Sequence, residues 1–327
     1  MEKQKLIIVT GGAGFIGSHL CERLVAEGHQ VISLDNYFTG TEENHVVGVE
    51  YRKGHTKEIE TLIPESPDII FHLGEYSRVA PSLDEPAVVW DLNILGTLAV
   101  LEYWRVKKCK LVYAGSSTKF TNDERSAEIA GRDRAPYNFA KAVNSELVHN
   151  YGQWYDLSYS VAYFYNVYGP RERAGQYDGA YGTVVETFRQ CVLKGTPCTI
   201  NGTGKQTRAF THVYDTVAAL VLISEKGSND EYAISAAEAY SLNELADMFG
   251  LEKQYLPSTT SSRSTGAEDT TKLQCLGWQQ HETLKKYVVQ QRLTTDVLER
   301  TVATQNAAEP MGLEVMMRGC AMGHVRA

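Results

Sequence analysis

The chain is 327 residues long, 43% hydrophobic and 22% charged, with a net charge of −8. That length suits one large or two linked domains, and the acidic balance excludes a broad electrostatic footprint for nucleic acid. Apolar runs of only a few residues exclude a transmembrane helix. A strand beginning almost at the first residue leaves no room for a signal peptide, so a cytoplasmic, non-membrane protein is expected. The six cysteines are scattered, without C-x-x-C, and read as buried free thiols; the nine histidines show no ligand spacing, so no metal is expected.

In chain order, Lys5–Thr10 (KLIIVT) predicts a buried strand, Phe15–Glu27 a helix and Gln30–Asp35 a second strand. Asp68–Leu73, Lys110–Gly115 and Tyr159–Phe164 predict further strands, with helices over Val88–Lys107 and Tyr137–Tyr155. Strands alternating with helices specify an α/β fold, a doubly wound parallel (Rossmann) sheet covered on both faces. After about Tyr168 the pattern turns irregular and glycine-rich, as for a smaller C-terminal α/β part that caps the sheet's carboxyl edge. The stretch AFTHVYDTVAALVLISEK is expected to return to the first domain. The expected division is therefore 1–168, with a return around 207–236, for a dinucleotide-binding domain. Residues 169–206 and 237–295 form a substrate-binding part, Ser258–Ser264 a polar loop, and 296–327 a weakly periodic tail.

Gly11, Gly12, Gly14 and Gly17 fall between the first strand and the first helix. Gly11 permits the turn, Gly14 lets the backbone approach a pyrophosphate, and Gly17 lets helix and strand pack closely. The helix N-terminus adds free N–H groups and a partial positive charge. Asp35 ends the second strand, 18 residues after Gly17, where an acid accepts hydrogen bonds from an adenosine ribose. Asn36, Tyr37, Phe38, Thr39 and Gly40 follow it with no cation to meet a 2′-phosphate, so NAD is expected over NADP. The expected cofactor-binding set is Gly11, Gly14, Phe15, Ile16, Gly17, Asp35, Asn36, Thr39, Gly40, Leu73, Gly74 and Lys141.

Tyr137 and Lys141, in APYNFAKA, share one helix face at i, i+4. Free tyrosine has a pKa of about 10, and a nearby ammonium and a nicotinamide cation both favour the phenolate a base needs. Lysine would also hold the nicotinamide ribose. Ser116, Ser117 and Thr118 directly follow a strand, at the edge where doubly wound sheets bind ligands, and a hydroxyl there can relay a proton to Tyr137.

From about residue 5 to 290 the chain resembles the extended short-chain dehydrogenase/reductases that act on nucleotide sugars. The resemblance rests on TGGAGFIGSHL, LDNYFTG, FHLGEYSRV, NILGT, YAGSSTKF, PYNFAKA, YFYNVYGPRE, INGTGKQTRAFTHVYD and EDTTKLQCLGW. Within that family it is most similar to UDP-glucose and UDP-N-acetylglucosamine 4-epimerases. DGAYGTVVETF and TINGTGKQTRAF are similar to substrate-binding segments of the short N-acetylhexosamine epimerases. The resemblance implies an NAD-dependent nucleotide-sugar 4-epimerase acting through transient C4 oxidation and hydride return to the other face. It implies Ser116, Tyr137 and Lys141 as the catalytic group and a homodimer through the helices containing Val88–Lys107 and Tyr137–Tyr155. Asn166 matches a phosphate-contacting Asn, Arg208 a diphosphate-pairing Arg and Asn201 a nucleoside-binding position.

Related 4,6-dehydratases carry Asp-Glu, and decarboxylases a Glu, where this chain has Ser117 and Thr118. Glu75, in the loop near the expected nicotinamide side, can supply a carboxylate and keeps a 4,6-dehydratase as the alternative. The intact Tyr/Lys pair argues against the remaining reading, a non-catalytic NAD-binding regulator. The substrate, a nucleotide diphosphate sugar, is expected to meet Glu75, Ser117, Thr118, Asn166, Asn201, Arg208 and Arg263. Arg263 stands in for the Arg of a missing R-x-G-D motif, and Tyr163 replaces a usual Arg. Gly266 aligns with a position whose small size would admit an N-acetyl group, and His55–Thr56 replaces the usual pair at the adenine pocket.

Overall fold

The computed structural model describes residues 3–120, 131–173, 182–257 and 268–294. Strands β1 (Leu6–Thr10), β2 (Gln30–Asp35), β3 (Val49–Lys53), β4 (Ile69–His72), β5 (Lys110–Ser116) and β6 (Tyr159–Phe164) join Asp230–Ile234 in one seven-stranded sheet. All neighbours are parallel, and the order is Asp230–Ile234, β6, β5, β4, β1, β2, β3. The chain builds outward from β1 to β3, then crosses back to β4 on the other side of β1. That reversal opens a crevice beyond the carboxyl ends of β1 and β4.

The strands are apolar on both sides because helices cover both faces. Ile7 and Val9 point into a core with Leu20, Leu24, Val213 and Leu220. Ile8, between them, points the other way, with Ile70, Leu101, Trp104 and Val148. The Val213–Lys226 helix thus shares a core with β1, packing against the Phe15–Ala26 helix, β5 and β6. A separate cluster of Tyr168, Val185, Phe188, Ile200, Phe210, Leu245, Phe249 and Tyr287 holds the smaller part, where Cys198–Asn201 pairs with Lys253–Leu256 and Thr207–Ala209 with Ala239–Ser241.

Three features depart from the sequence reading. β3 was not expected; its residues, VEYRK, lie on the sheet's outer edge, where exposed faces tolerate charge and mask the apolar signal. The helix expected over Val88–Lys107 begins at Pro86–Val89, runs through a π-helical segment, Trp90–Leu95, and continues as Gly96–Lys107. The Asn93 carbonyl accepts a hydrogen bond from Asn144 Nδ2 (2.9 Å), so a side chain competes inside the helical ladder. The five described cysteines are free; Cys21, Cys109 and Cys198 are buried, but Cys275 is exposed. No helix among the described residues is long and apolar enough to cross a membrane.

Candidate active site

A parallel sheet delivers the residue after each strand to one edge. There a cavity of about 540 Å³ opens, lined in part by Gly11, Asp35, Gly74, Ser116 and Asn166, each at or just past the end of a different strand. The Gly11 N–H donates to the Leu34 carbonyl (2.9 Å), and Gly11 takes φ +75°, a conformation that favours glycine. A Cβ at Gly17 would lie 2.1 Å from the Gly11 carbonyl oxygen, so only glycine lets the helix start this close to the turn. A Cβ at Gly14 would meet one atom, that same oxygen at 3.1 Å, and Gly14 lies on the cavity wall. Its backbone is open to a phosphate at the helix N-terminus.

Asp35 accepts N–H bonds from Ala13 (3.0 Å) and Tyr37 (2.8 Å), so it ties the turn together while facing the cavity. Burial raises its pKa above the usual carboxylate range, with the two N–H groups opposing the rise. Gly40 does not line the cavity; its backbone closes on the Asp35 carboxylate, which an added Cβ would approach to 2.9 Å. His55 and Thr56 are also off the wall. His55 caps a short turn, its Nδ1 accepting from the Lys57 N–H (3.0 Å) and its Nε2 lying 3.1 Å from Asp91 Oδ2.

The chemistry-bearing groups stand across the cavity. The Pro136–Tyr155 helix starts with Pro at its first position and buries Tyr137, Lys141, Asn144, Ser145 and Val148 along one face. Tyr137 sits among Tyr76, Val89, Leu92 and Ala140, its N–H donating to Ser82 Oγ (3.3 Å). Ser116 Oγ accepts from the Thr118 N–H (3.3 Å) and hydroxyl (3.0 Å), and neither bond uses the Ser116 proton.

Lys141 Nζ donates to Glu75 Oε2, to the Ala114 carbonyl and to Tyr113 Oη (3.3 Å). Glu75 Oε1 in turn accepts from Thr97 Oγ1 (3.0 Å), Tyr113 Oη (3.1 Å) and Asn144 Nδ2 (2.8 Å). Thr97 gives its proton to that carboxylate, so it accepts from His72 Nε2 (2.9 Å), while His72 Nδ1 accepts from the Thr10 hydroxyl (2.7 Å). This wiring requires a neutral His72, and burial lowers its pKa to about 4. Thr10 Oγ1 also receives the Leu73 (3.1 Å) and Gly74 (2.9 Å) N–H groups, which fixes the loop after β4.

Another wall of the cavity is built differently. Arg78, Glu172, Arg173 and Arg208 line it with Thr183, Val185 and Phe210. Asn166 adopts φ 39° and donates to the Ala209 carbonyl (2.8 Å), tying the strand that carries Arg208 to the chain leaving β6. Burial, then the nearby Glu186, pushes the Glu172 carboxyl well above the usual range.

Of the expected site residues, the cavity brings together Ser116, Tyr137, Lys141, Gly11, Gly14, Phe15, Ile16, Gly17, Asp35, Asn36, Thr39, Leu73, Gly74, Glu75, Ser117, Thr118, Asn166 and Arg208. Asn201 is not brought in; it is exposed on the Cys198–Asn201 strand, where its carbonyl accepts from Gln206 Nε2 (2.8 Å). Tyr163 also points away, donating to Glu231 Oε1 (2.8 Å) on the edge strand. Arg263, Gly266, Ser258–Ser264 and the 296–327 tail lie outside the described residues. Arg78, Glu172 and Arg173 were missed, although each follows a strand's carboxyl end, the one signal that marks them in advance.

A family model described as the NAD-dependent epimerase/dehydratase family matches residues 7–235. A Methanocaldococcus jannaschii protein assigned as a UDP-glucose 4-epimerase is 30% identical over 295 residues, covering 86% of this chain and 95% of its own. UDP-N-acetyl-alpha-D-glucosaminuronate decarboxylase of Bacillus cytotoxicus is 30% identical over 261 residues, covering 74% and 78%. The crystal structure of UDP-glucose 4-epimerase from Thermotoga maritima, with UDP-glucose, superposes with a TM-score of 0.79 at 29% identity, covering 91% of this chain and 99% of that one. The fold and its cavity thus define a dinucleotide-binding α/β protein of Rossmann type. More narrowly, the chain belongs to the NAD-dependent epimerase/dehydratase family, and NAD is its cofactor.

Proposed function

We propose that the chain is a nucleotide-sugar 4-epimerase working through a transient 4-keto sugar. One observation carries this reading. Ser116, Tyr137 and Lys141 share a cavity with the glycine turn and Asp35, while hydroxyl residues, Ser117 and Thr118, stand where a dehydratase or decarboxylase needs carboxyl acids. Tyr137, as the base, takes the proton of the sugar 4-hydroxyl, and Ser116, whose hydrogen bonds from Thr118 leave its own proton unused, passes it along. When bound, NAD would supply the hydride acceptor for oxidation at C4 and the hydride donor for its return. The glycine turn and Asp35 would hold its pyrophosphate and adenosine ribose. Arg78, Arg173 and Arg208 put three guanidinium groups on the substrate side, suited to a diphosphate. UDP-glucose in the Thermotoga maritima structure makes uridine diphosphate sugars the first substrates to try.

Purified protein, NAD and a panel of nucleotide sugars, followed by NMR of the anomeric proton and by mass spectrometry, tests the reading. A new sugar of unchanged mass is expected. Loss of water would instead establish the 4,6-dehydratase, which Glu172 favours, because a carboxyl on the cavity wall whose pKa burial raises is suited to serve as the acid. Loss of carbon dioxide would establish a decarboxylase. We also infer a homodimer through the helices spanning 86–107 and 136–155, supported by exposed Trp90, Leu98, Val106, Trp154 and Tyr155. The protein is read as cytoplasmic.

A further inference from the structure

Lys141 and Glu75 form an ion pair almost wholly out of water, their side chains 6% and 2% exposed. An ammonium has three protons, and those of Lys141 go to Glu75, the Ala114 carbonyl and Tyr113 Oη. A buried carboxylate or ammonium is costly without a counter-charge, so each of these two groups stabilises the other. The loop that carries Glu75 is itself clamped: the Tyr76 N–H donates to Asn93 Oδ1 (2.7 Å) and Asn93 Nδ2 donates to the Tyr76 carbonyl (3.1 Å). Burial pushes the Glu75 carboxyl up, but the Lys141 charge and the hydrogen bonds from Lys141 and Asn144 outweigh it, leaving the group below the ordinary range. Glu75 is therefore an anion and a poor proton donor. Its place near the expected nicotinamide side needs another explanation than acid catalysis.

We propose that Glu75 is a positioning residue for Lys141: it holds the ammonium against the Tyr113–Ala114 strand end and offsets its charge. The Tyr137 phenol in the same cavity then faces a neutral pair instead of a bare cation. The proposal rests on the reading of Tyr137 as the base. The titratable groups round the pair are His72, behind Thr97, with Tyr113 and Tyr137; Arg78, Glu172, Arg173 and Arg208 stand elsewhere on the cavity wall.

The test compares wild type with Glu75→Gln, which keeps the side-chain shape and drops the charge. Two readouts apply: the pH profile of kcat/KM, and ultraviolet difference titration of phenolate, with Tyr137→Phe in each background isolating the Tyr137 signal. In Glu75→Gln the acid limb of the profile and the Tyr137 phenolate midpoint are both expected to move to lower pH, by about one unit. An unmoved phenolate midpoint would overturn the proposal. So would complete loss of turnover at every pH with an unmoved midpoint, which would make Glu75 a proton-transfer group. Should Glu75→Gln not fold, Glu75→Asp keeps the charge and must retain the wild-type limb; a shifted limb there also overturns it. Absence of sugar turnover by wild type would sink the epimerase reading, while the phenolate titration would still judge Glu75.

Discussion

The two walls of the cavity are made by different means. The glycine-turn wall is largely main chain: a turn whose glycines touch one another, and a carboxylate that bonds the backbone. The arginine-bearing wall is side chains, with Arg78, Glu172, Arg173 and Arg208 coming from separate segments that meet only in the folded molecule. A main-chain site tolerates few substitutions and binds one thing. A side-chain site can change its ligand without changing its frame.

Tyr137→Phe is expected to have the largest effect. It should cut turnover by about 10²- to 10⁴-fold while calorimetry still finds both NAD and nucleotide-sugar binding, which would separate chemistry from either wall. Gly17→Ala comes next. Its methyl has no room beside the Gly11 carbonyl, so NAD affinity should fall by about 100-fold and the melting temperature should drop, as read by fluorescence titration and calorimetry. A crossed pair then measures the independence of the walls. Asp35→Asn should weaken NAD binding by about 10-fold and leave the sugar KM alone, and Arg208→Ala should do the reverse. Equal effects of both variants on both ligands would abolish the distinction.

The smallest effect is on stability. His72 and His212 are each lowered by burial to about 4 from the ordinary 6.5. Between those values the unfolded chain binds more protons than the folded one. The stability they contribute is thus complete above pH 6.5 and lost as pH falls towards 4. Thermal melts across that range should show the decline, and His72→Gln should flatten part of it.

The glycine turn was legible because backbone geometry dictates residue type: φ +75° at residue 11 and contact at residue 17 ask for glycine, and both positions show it in sequence. The Tyr137–Lys141 pair was legible for a similar reason, since helical periodicity fixes which residues share a face. Glu75 was visible as a loop acid, but its partner lies 66 positions away, and no local pattern records a contact at that range. Arg78, Glu172 and Arg173 were hidden in the same way, and Asn201 shows the converse. Its motif was plain, but the strand that carries it turns the residue to solvent.

The π-helical segment has a consequence for how the molecule comes apart. Asn93 gives its carbonyl to one helix and its side chain to the loop at Tyr76, so a single residue stitches three segments together. Straightening that segment into regular α-helix would unhook the loop and take one acceptor from the Asn144 amide. Loop and helices are therefore expected to open together, which amide hydrogen exchange would read as matched protection of the loop at Tyr76 and the two helices.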